Sequence, residues 1–135
     1  MISIPTDTIL TLFPSTQAVY VFGSCGEKSE NTESDVDIAI LLPHDESKSA
    51  GSLAFSDLQF KLEKQLHRRV DLINIRTVSI VFRKEIIVYG ERIFCSDEYE
   101  ADLFETLVLS MYGKLNEERS DILASLKSTG RAYDV

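Results

Sequence analysis

A chain of 135 residues with a formal net charge of −8 has length for one hydrophobic core but not for two. Its acidity argues against direct nucleic-acid binding through phosphates, which needs a basic face. With 44% hydrophobic and 27% charged residues it reads as a soluble globular domain with no membrane segment, since no apolar run approaches the ~20 residues that span a bilayer.

The start, MISIPTDT, lacks the basic and long apolar regions of a secretory signal. Cys25 and Cys95 lack CxxC spacing and indicate reduced thiols in a cytoplasmic setting rather than a disulfide or zinc scaffold. In chain order, Thr6 or Asp7 can cap a short helix that Pro14 helps to end. Ala18–Phe22 (AVYVF) is short, β-branched and aromatic, and predicts a strand. Residues 26–34 are polar and read as a loop before a second strand from Val36 to Leu42, closed by Pro43. The stretch from His44 to Ser52 is rich in Ser and Asp and is expected to be a mobile loop. Leu58, Leu62 and Leu66 at i+4 spacing predict a helix over 56–66.

Residues 69–75 (RVDLINI) alternate and predict a third strand, 78–88 a helix stopping at Gly90, and 92–95 a short extended piece. A long helical pattern runs from Asp97 to Leu126. Thirty residues at 1.5 Å rise span about 45 Å, so this helix either projects from the domain or breaks near Gly113. Its apolar set, from Leu103 to Leu115, is wider than one core contact requires and reads either as a core helix with a broad face or as a helix with a second apolar face for a partner. The order of elements gives an α/β (α+β) domain built on a small mixed sheet flanked by helices. Residues 1–96 form the core and 97–135 a C-terminal helical segment of the same domain.

The chemistry concentrates in "VFGSCGEKSENTESDVDIAILL", residues 21–42. Asp35 and Asp37 alternate at the mouth of an apolar strand, so both face one way about 6.6 Å apart. At an effective dielectric of 20 they repel by roughly 2–3 kcal/mol. A divalent cation is the simplest offset, and Mg²⁺ commonly takes one or two carboxylates plus substrate phosphates. Asp-x-Asp alone is frequent by chance. Asp71 interrupts a second apolar run, and if the two strands pair, three carboxylates share one sheet face. Phosphoryl or nucleotidyl transfer is the chemistry that gains from such a cluster. Gly23 lets backbone approach a phosphate, and Ser24 can bond phosphate oxygens. The P-loop pattern fails here, because Glu27 stands where it needs a glycine before the lysine.

Gly23-Ser24, ten intervening residues and Asp35-x-Asp37, with Asp71 following, resemble the G-S-x10-D-x-D signature of nucleotidyltransferases related to DNA polymerase β. The small size resembles the minimal nucleotidyltransferase (MNT) branch. The tail LSMYGKLNEERSDILASLKSTGRAYDV is similar to that of MntA-type antitoxins encoded beside HEPN-domain toxins. The resemblance implies a polymerase β palm-like fold, with Gly23 and Ser24 holding the triphosphate of ATP and Asp35 and Asp37 coordinating Mg²⁺. Asp71 would bind a second metal or act as base. It further implies AMP transfer to a tyrosine of a HEPN ribonuclease partner, which silences it. Non-catalytic neutralisation by binding, and nucleotidyl transfer to a small molecule, are the alternatives. In one respect the chain departs from the family, in which basic residues often follow the Gly-Ser pair. Here Lys28 is the only cation nearby, which implies either a weaker triphosphate contact or one supplied by Arg68, Arg69 or a partner chain.

Overall fold

The computed structural model describes residues 3–23, 35–54 and 56–129. Its elements in order are α1 (Thr6–Leu12), β1 (Ala18–Phe22), β2 (Val36–Leu41), α2 (His44–Ala50), α3 (Asp57–Leu66) and β3 (Val70–Asn74). A single 3-10 turn (Ile75–Thr77) then leads to α4 (Ile80–Tyr89), β4 (Glu91–Cys95) and α5 (Glu98–Thr129). The four strands form one mixed sheet in the order β3-β2-β1-β4. β1 pairs antiparallel with both β2 and β4, whereas β2 and β3 run parallel.

Strand alternation sorts the apolar side chains into two cores. Val36, Ile38, Ile40 and Leu42 face Ile9, Leu58 and Leu62, so α1 and α3 cover one side of the sheet. Ala39 and Leu41 face Ile86, Ala101, Phe104 and Val108, which places α4 and α5 on the other. A central strand buried on both faces explains why 38–42 is an unbroken apolar run.

Local signals place the helix starts. Ser56 and Ser79 accept hydrogen bonds from the backbone N–H of Gln59 and Phe82, so each caps the helix that follows. Asp97 accepts the Glu100 N–H at 3.1 Å and caps α5. α1 departs from expectation: its N-cap position is Pro5, with no side-chain cap from Thr6 or Asp7.

The stretch expected to be a mobile loop is instead the helix α2. Its polar sequence, HDESKSA, offers no apolar periodicity, and a buried polar lock holds it. Ser47 Oγ donates to Asn74 Oδ1 at 2.9 Å, and Asn74 Nδ2 donates to the carbonyls of Ser47 and Gly51 at 3.1 and 2.9 Å. Asp45 and Glu46 in the first turn complement the helix dipole.

α5 runs unbroken through Gly113, which has open space around it. Its 32 residues extend about 48 Å at 1.5 Å per residue. Ala101, Phe104 and Val108 bury against the sheet, while residues 116–124 are exposed throughout. The helix therefore projects beyond the core. Leu103, Leu107, Leu109 and Met111 lie on its solvent side.

Replacing Asn74 with Ala removes the lock and leaves the Ser47 hydroxyl and the Gly51 carbonyl without this partner, while the Ser47 carbonyl keeps the Gly51 N–H. Each buried group left unsatisfied costs about 1–3 kcal/mol. Asn74→Ala should lower unfolding stability by that order in chemical denaturation, with the largest gain in amide exchange confined to α2.

Candidate active site

The parallel pairing of β2 with β3 decides where the carboxylates meet. Asp37 and Asp71 are direct register partners, as are Val36 and Val70. The Val36 N–H donates to the Arg69 carbonyl at 2.9 Å and locks this register at the strand mouths. Side chains alternate along each strand, so Asp37 and Asp71 lie on the α4/α5 face, just beyond the apolar residues that close that core. Asp35 precedes β2 by one residue and is exposed.

Neighbouring strands are about 4.8 Å apart, a spacing at which two carboxylates repel by about 3 kcal/mol at an effective dielectric of 20. Burial, and then the charges of Asp71 and Asp35, push the Asp37 carboxyl up to about 6. Among the described residues no cation acts on it. The helices add to the imbalance. α3 ends at Leu66, just ahead of β3, and α4 ends at Gly90, against Val21 and Phe22. Both therefore direct the negative ends of their dipoles toward this edge of the sheet.

Gly23 has a task that the motif alone does not disclose. It follows Phe22, the register partner of Asp37, and turns with φ +76°. A Cβ at this position would lie 2.0 Å from Asp37 Oδ2. Only glycine combines this backbone conformation with room for the carboxylate. Gly90 serves similarly at the end of α4, where a Cβ would meet the Ile86 and Val21 carbonyls at 2.4 and 2.9 Å. It lets α4 close onto β1, and Phe82 packs edge-on against Phe22 with ring centroids 5.7 Å apart.

The structure thus brings Asp37, Asp71 and Gly23 together, with Asp35 close enough for its charge to act on Asp37. Ser24 and Lys28 lie outside the described residues. Among the described residues no three His, Cys, Asp or Glu groups are gathered so as to hold a metal by themselves. The donor set suits Mg²⁺ that arrives with phosphate ligands of its own. Hard oxygen donors from one or two carboxylates are what that ion takes from protein, and the unneutralised Asp37 supplies the electrostatic demand. Sequence reasoning missed the Gly23–Asp37 contact, because it depends on the β1–β2 register across the intervening loop. His67 is the left-handed C-cap of α3 at φ 55°, a structural role.

Residues 7–99 match the family described as polymerase beta, nucleotidyltransferase. The chain belongs to the polymerase beta nucleotidyltransferase family. It is 30% identical over 110 residues to the protein adenylyltransferase MntA of Shewanella oneidensis, covering 82% of this chain and 76% of that protein. The fold matches a solved toxin–antitoxin structure with AMP-PNP at a TM-score of 0.68 and 27% identity, over 92% of this chain and 99% of the other. It also matches a structure of the tri-AMPylated Shewanella oneidensis HEPN toxin in complex with MNT antitoxin, at a TM-score of 0.65 and 26% identity. That match covers 90% of this chain and 92% of the other.

Two outcomes follow from the geometry. Gly23→Ala should displace the Asp37 carboxylate and depress nucleotidyl transfer at least as far as Asp37→Asn does, with the circular dichroism spectrum unchanged. In metal-free protein, Asp71→Asn should move the Asp37 titration below about 6, read by carboxyl carbon NMR. Asp37 is harder to ionise in the folded state than in the unfolded chain, so its contribution to stability falls as pH rises from the ordinary carboxylate range through about 6. Asp71→Asn should flatten that fall.

Proposed function

We propose that this protein transfers AMP from ATP to a tyrosine hydroxyl of a HEPN-family ribonuclease toxin, and so acts as its antitoxin. The observation that carries the reading is the Asp37–Asp71 pair, opposite Gly23, in a chain related to a protein adenylyltransferase and to MNT antitoxins solved with HEPN toxin. The AMP-PNP complex of a relative supports a nucleoside triphosphate as substrate.

In this reading Asp35 and Asp37 hold Mg²⁺, and Asp71 shares the metal or takes the proton of the incoming hydroxyl. Gly23 and Ser24 receive the triphosphate. The tyrosine oxygen bonds to the α-phosphorus as the bond from that phosphorus to the β-phosphate bridge breaks. Pyrophosphate leaves, and AMP remains on the toxin. Bound Mg²⁺ would neutralise the phosphate oxygens on which charge develops. Positioning and charge neutralisation supply most of such catalysis.

Residues 1–96 serve as the transferase core, and 97–135 present the contact surface for the toxin. The exposed Leu103, Leu107 and Met111 of α5 support that assignment. They also favour a second reading, neutralisation by binding alone. No helix among the described residues is long and apolar enough to cross a membrane, in keeping with a cytoplasmic site of action.

Incubation with ATP, Mg²⁺ and the HEPN toxin should raise the toxin's intact mass by one or more adenylyl groups. Asp37→Ala should slow this about a thousandfold, the equivalent of several kcal/mol of lost charge stabilisation. An unchanged toxin mass under varied metal conditions would overturn the enzymatic reading. Continued neutralisation by a variant carrying both Asp35→Ala and Asp37→Ala would establish the binding reading instead.

A further inference from the structure

The triphosphate of the proposed substrate is strongly anionic, and the edge of the sheet that must receive it is electronegative. Asp35, Asp37 and Asp71 stand there, and the C-terminal ends of α3 and α4 point toward it. Asp35 and Asp37 would hold Mg²⁺ that offsets part of this charge, and a guanidinium fixed at the same edge would offset more of the charge on the β,γ-diphosphate. The described part of the chain has one in a suitable place.

Arg69 immediately precedes β3. Continuing the parallel register outward from Val36–Val70 sets Arg69 beside Asp35. Arg69 and Asp71 flank Val70, so alternation puts both on the face shared by Asp35 and Asp37. The backbone here is held from two sides. The Arg69 carbonyl accepts the Val36 N–H at 2.9 Å, and the next N–H, that of Val70, donates to Glu63 Oε2 at 2.9 Å. The root of the side chain is therefore fixed relative to the carboxylates.

Its guanidinium is exposed and makes no hydrogen bond or ion pair among the described residues. Arg68 differs, because it is already engaged in an interaction of its own. A planar five-donor fork on a fixed backbone is the side chain best suited to bidentate phosphate recognition.

We infer that Arg69 is the phosphate-positioning residue of this site, binding the β,γ-diphosphate of the incoming nucleotide and holding it as pyrophosphate leaves. The inference rests on the nucleotidyl-transfer reading. It assigns to the strand β3 mouth the cationic role that this chain lacks directly after Gly23-Ser24. The competing role is structural: a cation near the end of α3 that complements the helix dipole.

The two roles separate in one set of measurements on the full-length protein with Mg²⁺. Arg69→Ala should weaken AMP-PNP binding about tenfold or more by calorimetry while leaving AMP binding unchanged, because AMP lacks the phosphates concerned. Arg69→Lys should recover part of the loss. In the transfer assay, Arg69→Ala should raise the KM for ATP and slow turnover without shifting the melting temperature. Equal loss of AMP and AMP-PNP binding, or a lowered melting temperature with nucleotide preference intact, would overturn the inference. If the wild-type protein transfers AMP and Arg69→Ala matches it, Arg69 is not the positioning residue and the transferase reading stands. If the wild-type protein transfers nothing, the transferase reading fails, and loss of the AMP-PNP preference in Arg69→Ala still tests phosphate binding by itself.

Discussion

The parallel alignment of β2 with β3 is the constraint on which the rest depends. It places Asp37 beside Asp71 and cannot slip by one residue without turning every side chain of β2 to the opposite core. Ile38 and Ile40 serve one core, and Ala39 and Leu41 the other. Each face of β2 is thus matched to a core of its own. Packing inside the sheet therefore specifies the position of charges at its rim. The repulsion between those charges is opposed by the burial of both cores.

The Gly23 contact works in the same direction from the other side. β1 brings its glycine turn against the Asp37 carboxylate, so the antiparallel and the parallel neighbours of β2 both converge on one side chain. Phe22 and Phe82 brace that turn, and Gly90 lets α4 come close enough for the brace to form. Away from the rim, ionic contacts are concentrated between β4 and α5. Arg92 bonds Asp102 and Glu105 at 3.0 and 2.8 Å, and Glu105 accepts the Tyr20 hydroxyl at 2.7 Å. Burial and Glu105 keep that tyrosine well above its ordinary ionisation range. These contacts seat the first three turns of α5 and leave its distal part free.

Much of this was legible in the chain itself. Alternation in RVDLINI predicted the strand β3, and Leu58 and Leu62, spaced to predict α3, are its buried residues. The proximity of Asp71 to Asp37 was conditional on strand pairing, and the pairing supplied it. α2 was not legible, because its stability resides in Asn74, thirty residues after the helix begins, rather than in any apolar stripe of its own. The Gly23–Asp37 contact was hidden for a similar reason. Nothing local to a glycine states which carboxylate will stand where a Cβ would have been. The continuity of α5 past Gly113 followed from helix-forming neighbours on both sides outweighing the roughly 1 kcal/mol that one exposed glycine costs relative to alanine.

Strand direction has a further consequence. In open parallel sheets that bind nucleotides, ligands settle beyond the carboxyl ends of the strands, where the amino ends of helices offer N–H groups to phosphate. In this protein the acidic rim lies at the opposite pole, where β2 and β3 begin and where α3 and α4 finish. Among the described residues, an anion approaching this pole meets carboxylates and the carbonyl ends of two helices. Among the described residues, neither the strand ends nor the helix ends at this pole offset the negative charge of Asp35, Asp37 and Asp71. The direction of the strands, and not the carboxylates alone, thus sets the sign of the potential at this end of the sheet.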